Sequence, residues 1–237
     1  MRVNCAAAGP AGGGIAIGAS WSGVRFDSAY EEIRRLPDGT AVRLRCLRES
    51  DRAKLLAGFA RLSDESRYAR FFTAMPTLPE KTLDRLLHPD GTNHVAIAAE
   101  AGDVPDAEAE GYGIARFLRL PEEPDVAEAA IVVVDHMQRR GLGKLLLSRL
   151  TAAARERGIT RFRADVLRTN QPMIALLHEI DGAAHAQLDG AVATYDLAIP
   201  EQGQEDTHRG PVFEVLRLVA RGLPIALRRL LPDSLAP

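Results

Sequence analysis

The residues with the most evident chemistry lie in one short turn, VDHMQRRGLGK, from Val134 to Lys144, directly after the apolar run Ala129–Val133. Gln138, Arg139, Arg140, Gly141, Leu142 and Gly143 form a Q-x-x-G-x-G pattern that leads into a helical periodicity. The first amides of a helix lack intrahelical acceptors, and the helix dipole places partial positive charge there. The turn is therefore suited to an anion such as a pyrophosphate. A side chain at 141 or 143 would hold phosphate oxygens away from those amides, and Arg139, Arg140 and Lys144 add formal charge. Two better-known glycine loops do not fit. A Walker A loop would need glycine where Gln138 stands, and a dinucleotide fingerprint would need it where Leu146 stands.

These residues require a strand before them and a helix after them, and the surrounding pattern supplies both. Val126–Val134 reads as a strand. From Gly141 to Arg157 the positions Leu142, Leu145, Leu146, Leu150 and Ala153 trace one helical face, and Gly158 follows as a C-cap. Upstream, Ser28–Glu32 opens a short helix ending at the turn Pro37-Asp38-Gly39, and 40–47 alternates as a strand. Ser50 and Ser63 cap helices, and a third helix follows Pro79. Residues 94–99 and 111–120 read as an antiparallel pair across an acidic loop. A strand over 162–167, a helix over 171–180 and a hairpin of 184–188 with 192–199 complete the pattern. The expected class is α/β (α+β), a mixed, mostly antiparallel central sheet of about seven strands flanked by helices. The expected organisation is an N-terminal extension over 1–35, disordered at its start, a domain over 36–200, and a linker with an amphipathic helix over 201–237.

Composition narrows the classes of function. A formal net charge of −2 and 5% aromatic residues argue against nucleic-acid binding. Cys5 and Cys46, in unrelated settings, give neither a disulfide framework nor a metal cluster, which fits a reducing cytoplasm. Gly9, Pro10 and Gly12–Gly14 interrupt any secretory h-region. No apolar run approaches the ~20 residues a membrane span needs. The C-terminal stripe of Val212, Val215, Leu216 and Val219 suits packing on the parent domain, or on a second copy of the chain in a homodimer, better than a membrane surface.

The turn between strand and helix resembles the signature of the GNAT acetyltransferase superfamily, R/Q-x-x-G-x-G/A, and the resemblance covers roughly Leu36–Ile199. Asn170-Gln171-Pro172-Met173 with Leu176 is similar to that family's later helix, closed by a glycine, here Gly182. Leu36–Thr40 followed by Leu62–Phe72 is similar to the catalytic domain of bacterial Pat-type protein-lysine acetyltransferases.

The resemblance implies acetyl-CoA as co-substrate, lying in a V between 126–134 and 162–167. It pairs the pantetheine arm with the backbone of Val132, Val133 and Val134, and seats the pyrophosphate on Gln138 to Lys144, with Asn170 and Met173 alongside. Amide formation from a thioester needs a neutral amine, whereas lysine has an ordinary pKa of about 10.4, so a proton acceptor is required. Glu128 stands where Pat-type domains carry their catalytic glutamate, although Ala129 follows it where an aromatic residue is usual. Leu177 occupies the place where many superfamily members have a thiolate-protonating tyrosine. His178 and Tyr195 are weaker substitutes for it. A protein lysine is the expected acceptor. A small amine, or acyl-CoA sensing without turnover, remains as an alternative.

Overall fold

A computed structural model describes residues 25–178, 181 and 185–200. The expected C-terminal helix, Gly182 and the first residues of the chain lie outside the described residues. The centre is an eight-stranded sheet in the order β1-β2-β3-β4-β5-β6-β8-β7, made of β1 Glu31–Arg35, β2 Ala41–Cys46, β3 His94–Ala101, β4 Gly111–Arg119, β5 Val126–Val133, β6 Arg161–Leu167, β7 His185–Asp189 and β8 Val192–Ala198. Every neighbouring pair is antiparallel except β5 and β6, which run parallel. The helices are α1 Arg52–Ala60, α2 Asp64–Phe71, α3 Glu80–Leu87, α4 Leu142–Arg155 and α5 Gln171–His178.

The registers assign side chains to two faces. Directly opposed residues share a face, so Ile114, Arg116 and Leu118 of β4 stand with Val132, Ala130 and Glu128 of β5. Gly113, Ala115 and Phe117 stand with Val133, Ile131 and Ala129 on the other face. That second face receives α4, whose Leu142, Leu146, Leu150 and Ala153 are fully buried at the expected helical spacing. Each such leucine contributes roughly 2 kcal/mol by leaving water. Gly113 makes the approach possible, because a Cβ there would lie 2.7 Å from the Val132 carbonyl oxygen and 3.2 Å from Leu146 Cδ1. The helix ends at Gly158, φ +70, with Ile159 N–H returning to the Ala154 carbonyl.

Two local expectations are corrected. The segment over 28–32 is not a helix. Tyr30 and Leu36 anchor it at both ends, and Glu31–Arg35 pairs with β2 across the Pro37–Gly39 turn, adding the eighth strand. It lies within the stretch read as an N-terminal extension. Nor does Ser50 cap α1. A turn of 3-10 helix precedes it, closed by the Asp51 carboxylate, which accepts from Arg48 N–H at 2.8 Å. Asp51, Arg45 and Glu100 then form a buried ionic network. Arg45 donates to both Asp51 oxygens at 2.7 Å and to Glu100 at 2.9 Å, and Lys54 adds a bond to Glu100 at 2.8 Å. Burial pushes the Asp51 carboxyl up, but the Arg45 and Arg48 donors outweigh burial and hold it below its usual range.

Candidate active site

β5 and β6 pair over Val126–Glu128 and Arg161–Arg163 only, although both strands run on, so a cleft opens beyond Glu128. Val134 N–H bonds to the Tyr112 carbonyl and the Val126 carbonyl to Leu120 N–H, which turns the even-numbered peptide groups of β5 toward β4. By strand alternation, Ala129, Ile131 and Val133 direct their peptide groups into the cleft. Of the three valines singled out by sequence, Val133 therefore faces the cleft, and Val132 and Val134 bond across to β4. Gln138 Nε2 donates to the Val133 carbonyl at 3.1 Å.

The open end of the cleft meets the start of α4. Gly141 is the N-cap, with φ +91, and no side chain caps this helix. A Cβ at Gly141 would also lie 3.2 Å from Pro37 Cδ, so this position is fixed as glycine by conformation and by space together. At Gly143 the nearest atom to such a Cβ is Leu176 Cδ2 at 3.4 Å, ordinary contact with α5. Leu142 is wholly buried and can offer an anion only its amide, whereas Arg139 and Lys144 are exposed. Arg139 also has positive φ, +58. Arg140 is bound elsewhere. It pairs with Asp38 and donates to Thr40 Oγ1 at 2.7 Å, clamping the turn between β1 and β2 to the start of α4. Donors from Thr40 and from Arg140 hold the Asp38 carboxyl down to about 2. Asn170 caps α5, its Oδ1 accepting from Met173 N–H at 3.2 Å, and Met173 packs against the core.

Glu128 is exposed at the mouth of the cleft and has no hydrogen bond or ion pair among the described residues. The fields that reach it come from Arg116 of β4 and Arg70 of α2. Sequence reasoning missed both, because only the sheet register and the docking of α2 bring them near. It also missed Asp135, inside the very turn it singled out. Asp135 accepts from Ser63 N–H at 2.7 Å and from Ser66 Oγ at 2.6 Å, fastening α2 to the end of β5. Leu177 is buried. His178 meets buried Tyr195 edge-on, with ring centroids 6.0 Å apart. Burial raises the Cys46 thiol pKa, which makes it a poor nucleophile.

An uncapped helix start, strand peptides left unpaired with β6 ahead of it and two exposed cations suit a diphosphate joined to an extended amide-bearing arm. Among the described residues no group of acidic, histidine or cysteine side chains is placed to hold a metal, and no helix is long and apolar enough to cross a membrane.

Comparison with known proteins agrees with this geometry. Residues 56–182 match the model of the acetyltransferase (GNAT) family. The chain is 32% identical over 126 residues to acetyltransferase PA5475 of Pseudomonas aeruginosa, covering 53% of this chain and 66% of that protein. It is 30% identical over 158 residues to acetyltransferase Pat of Mycolicibacterium smegmatis, covering 66% of this chain and 45% of that protein. The match thus spans less than two thirds of either relative. The crystal structure of the GNAT domain of S. lividans PAT superposes with a TM-score of 0.63 at 32% identity, covering 71% of this chain and 96% of that one.

Proposed function

The chain belongs to the GNAT acetyltransferase family, and from that premise we propose that it moves the acetyl group of acetyl-CoA to a protein lysine by direct attack of the amine, with Glu128 as general base. The observation that carries the reading is the parting of β5 and β6 immediately after Glu128, with the uncapped start of α4 at the open end.

Acetyl-CoA supplies a thioester whose carbonyl carbon accepts an uncharged amine and whose sulfur departs as the thiolate with the C–S electron pair. Val133 and Ile131 offer peptide groups along the cleft to align the arm, and the amides of Leu142, Gly143 and Lys144 with Arg139 face its diphosphate. Arg140 acts indirectly, by holding the turn through Asp38 and Thr40. Glu128 takes the proton that the amine gives up, directly or through a water, a contribution of roughly 10²- to 10⁴-fold. Arg70 and Arg116 help from the side, since positive charge near an arriving lysine disfavours its ammonium form. Leu177 leaves no acid at the usual place. A thiol with an ordinary pKa near 8.5 departs readily as its anion, so none is required.

The test is to incubate purified protein with labelled acetyl-CoA and a lysate of its host, beside a Glu128→Gln variant. Label on protein, reduced by about 10²- to 10⁴-fold in the variant, is the expected outcome. Label in small metabolites instead would move the acceptor to a small amine. Bound acetyl-CoA with no transfer to either would make the protein a sensor.

A further inference from the structure

Three arginines beside the Glu128 face of the sheet lack the carboxylate partner that many arginines of this protein have. Arg45, Arg140, Arg149 and Arg163 are each paired with a carboxylate. Arg70 on α2, Arg85 on α3 and Arg116 on β4 make no hydrogen bond or ion pair among the described residues. Arg116 sits opposite Ala130, one diagonal step from Glu128, roughly 7–8 Å between Cα atoms. It lines two adjoining pockets, one reaching Arg70 and the Ala130–Val134 stretch, the other bounded by Arg85, His94 and Leu118.

His94 supplies an independent sign. It is 9% exposed, it lines the second pocket, and its Nε2 has no partner. A buried polar atom without a partner is costly unless a ligand completes it. The acids nearby do not neutralise the group: Asp84 is engaged by Arg52, Asp90 accepts from the Thr92, Asn93 and His94 backbone amides, and Glu128 offsets only part of the burial acting on Arg70 and Arg116. Burial and Arg116 together push Arg70 down to about 10, with Glu128 offsetting only part. Like charges held together with only part of their hydration are relieved by an anion, and arginine binds a carboxylate through two parallel hydrogen bonds.

We propose that Arg70, Arg85, Arg116 and His94 form an anion-binding subsite on the acceptor side, and that the preferred acceptor carries a carboxylate close to its reacting amine. For a protein acceptor this is an Asp or Glu near the target lysine. The inference rests on Glu128 marking the acceptor side of the cleft, as proposed above.

The test uses the full chain and matched acceptors that differ in one carboxylate: lysine peptides flanked by Glu or by Gln, and Nα-acetyl-lysine against its amide. Wild-type protein is expected to favour the carboxylated member by about 10- to 100-fold in kcat/KM, mainly through KM. Arg116→Gln and Arg70→Gln should bring that ratio close to one. The exposed Arg85→Gln, the variant least able to disturb folding, should lower it in part. A wild-type ratio near one, or a ratio that survives these substitutions, would overturn the subsite. If the wild type acetylates none of the acceptors, the functional reading fails, and calorimetric titration with glutarate still decides the subsite. Saturable binding weakened in Arg116→Gln supports it, and no binding in the wild type refutes it.

Discussion

Gly141 and Gly143 separate two reasons for a glycine that look alike in sequence. Gly141 has φ +91, and a Cβ there would lie 3.2 Å from Pro37 Cδ, so alanine there is strained whether or not acetyl-CoA binds. Gly141→Ala should destabilise the protein by about 1–2 kcal/mol, measured by urea unfolding, and weaken acetyl-CoA binding as well. At Gly143 the added methyl would make ordinary contact with Leu176. Gly143→Ala should leave unfolding within about 0.5 kcal/mol of wild type, so any loss of acetyl-CoA affinity in calorimetry reports ligand approach to the backbone alone. Unchanged affinity in Gly143→Ala would mean that the diphosphate does not lie over this residue.

At the scale of elements, the cleft depends on how α2 is fastened. Asp135 accepts from Ser63 N–H and from both Ser63 and Ser66 hydroxyls, while Ser63 Oγ caps the helix by accepting from Ser66 N–H at 3.1 Å. Asp135→Ala should lower stability by about 1–2 kcal/mol in urea unfolding, the usual net effect of losing hydrogen bonds to a charged acceptor. It should also raise KM for the acceptor more than for acetyl-CoA, because α2 carries Arg70. An equal rise in both would show that α2 does not shape the acceptor side. Most elements were legible from local pattern: the periodicity of α4, the hairpin turn at Gly190, the Ser63 cap and the turn into Gly141 all act over a few residues. β1 was not, since EEIRR is an edge strand whose charged side chains resemble a solvated helix end and whose pairing is set by β2. The Arg45, Asp51 and Glu100 network was hidden for a similar reason: each residue alone reads as surface charge, and only the crossing of three segments buries them. Arg70, Arg116 and His94 escaped notice because their proximity is tertiary. The turn into α4 could be read because strand, turn and helix are contiguous, whereas Glu128 was singled out through the family resemblance and is proposed here as the base.

For the whole molecule, carboxylates tying distant segments make stability depend on acid. Glu32 joins β1 to α4 through Arg149, at 2.7 and 3.1 Å, and also meets Arg25, Arg34 and Tyr30. Burial alone would raise its pKa, but the Arg149, Arg34 and Tyr30 donors prevail and bring it to about 2 from 4.5. A folded-state pKa below the unfolded one favours the folded state at pH values above the unfolded pKa. That contribution is lost as pH falls through the folded value. The relevant window is therefore between about 4.5 and about 2, and Asp51, also depressed, acts in the same direction. Urea unfolding should accordingly show stability falling steadily from pH 5 to pH 2. Glu32→Gln should be less stable than wild type at pH 7, and should lose less on acidification, because a glutamine has no proton to take up. Parallel pH profiles for the two proteins would show that β1 is held to α4 by packing rather than by this carboxylate.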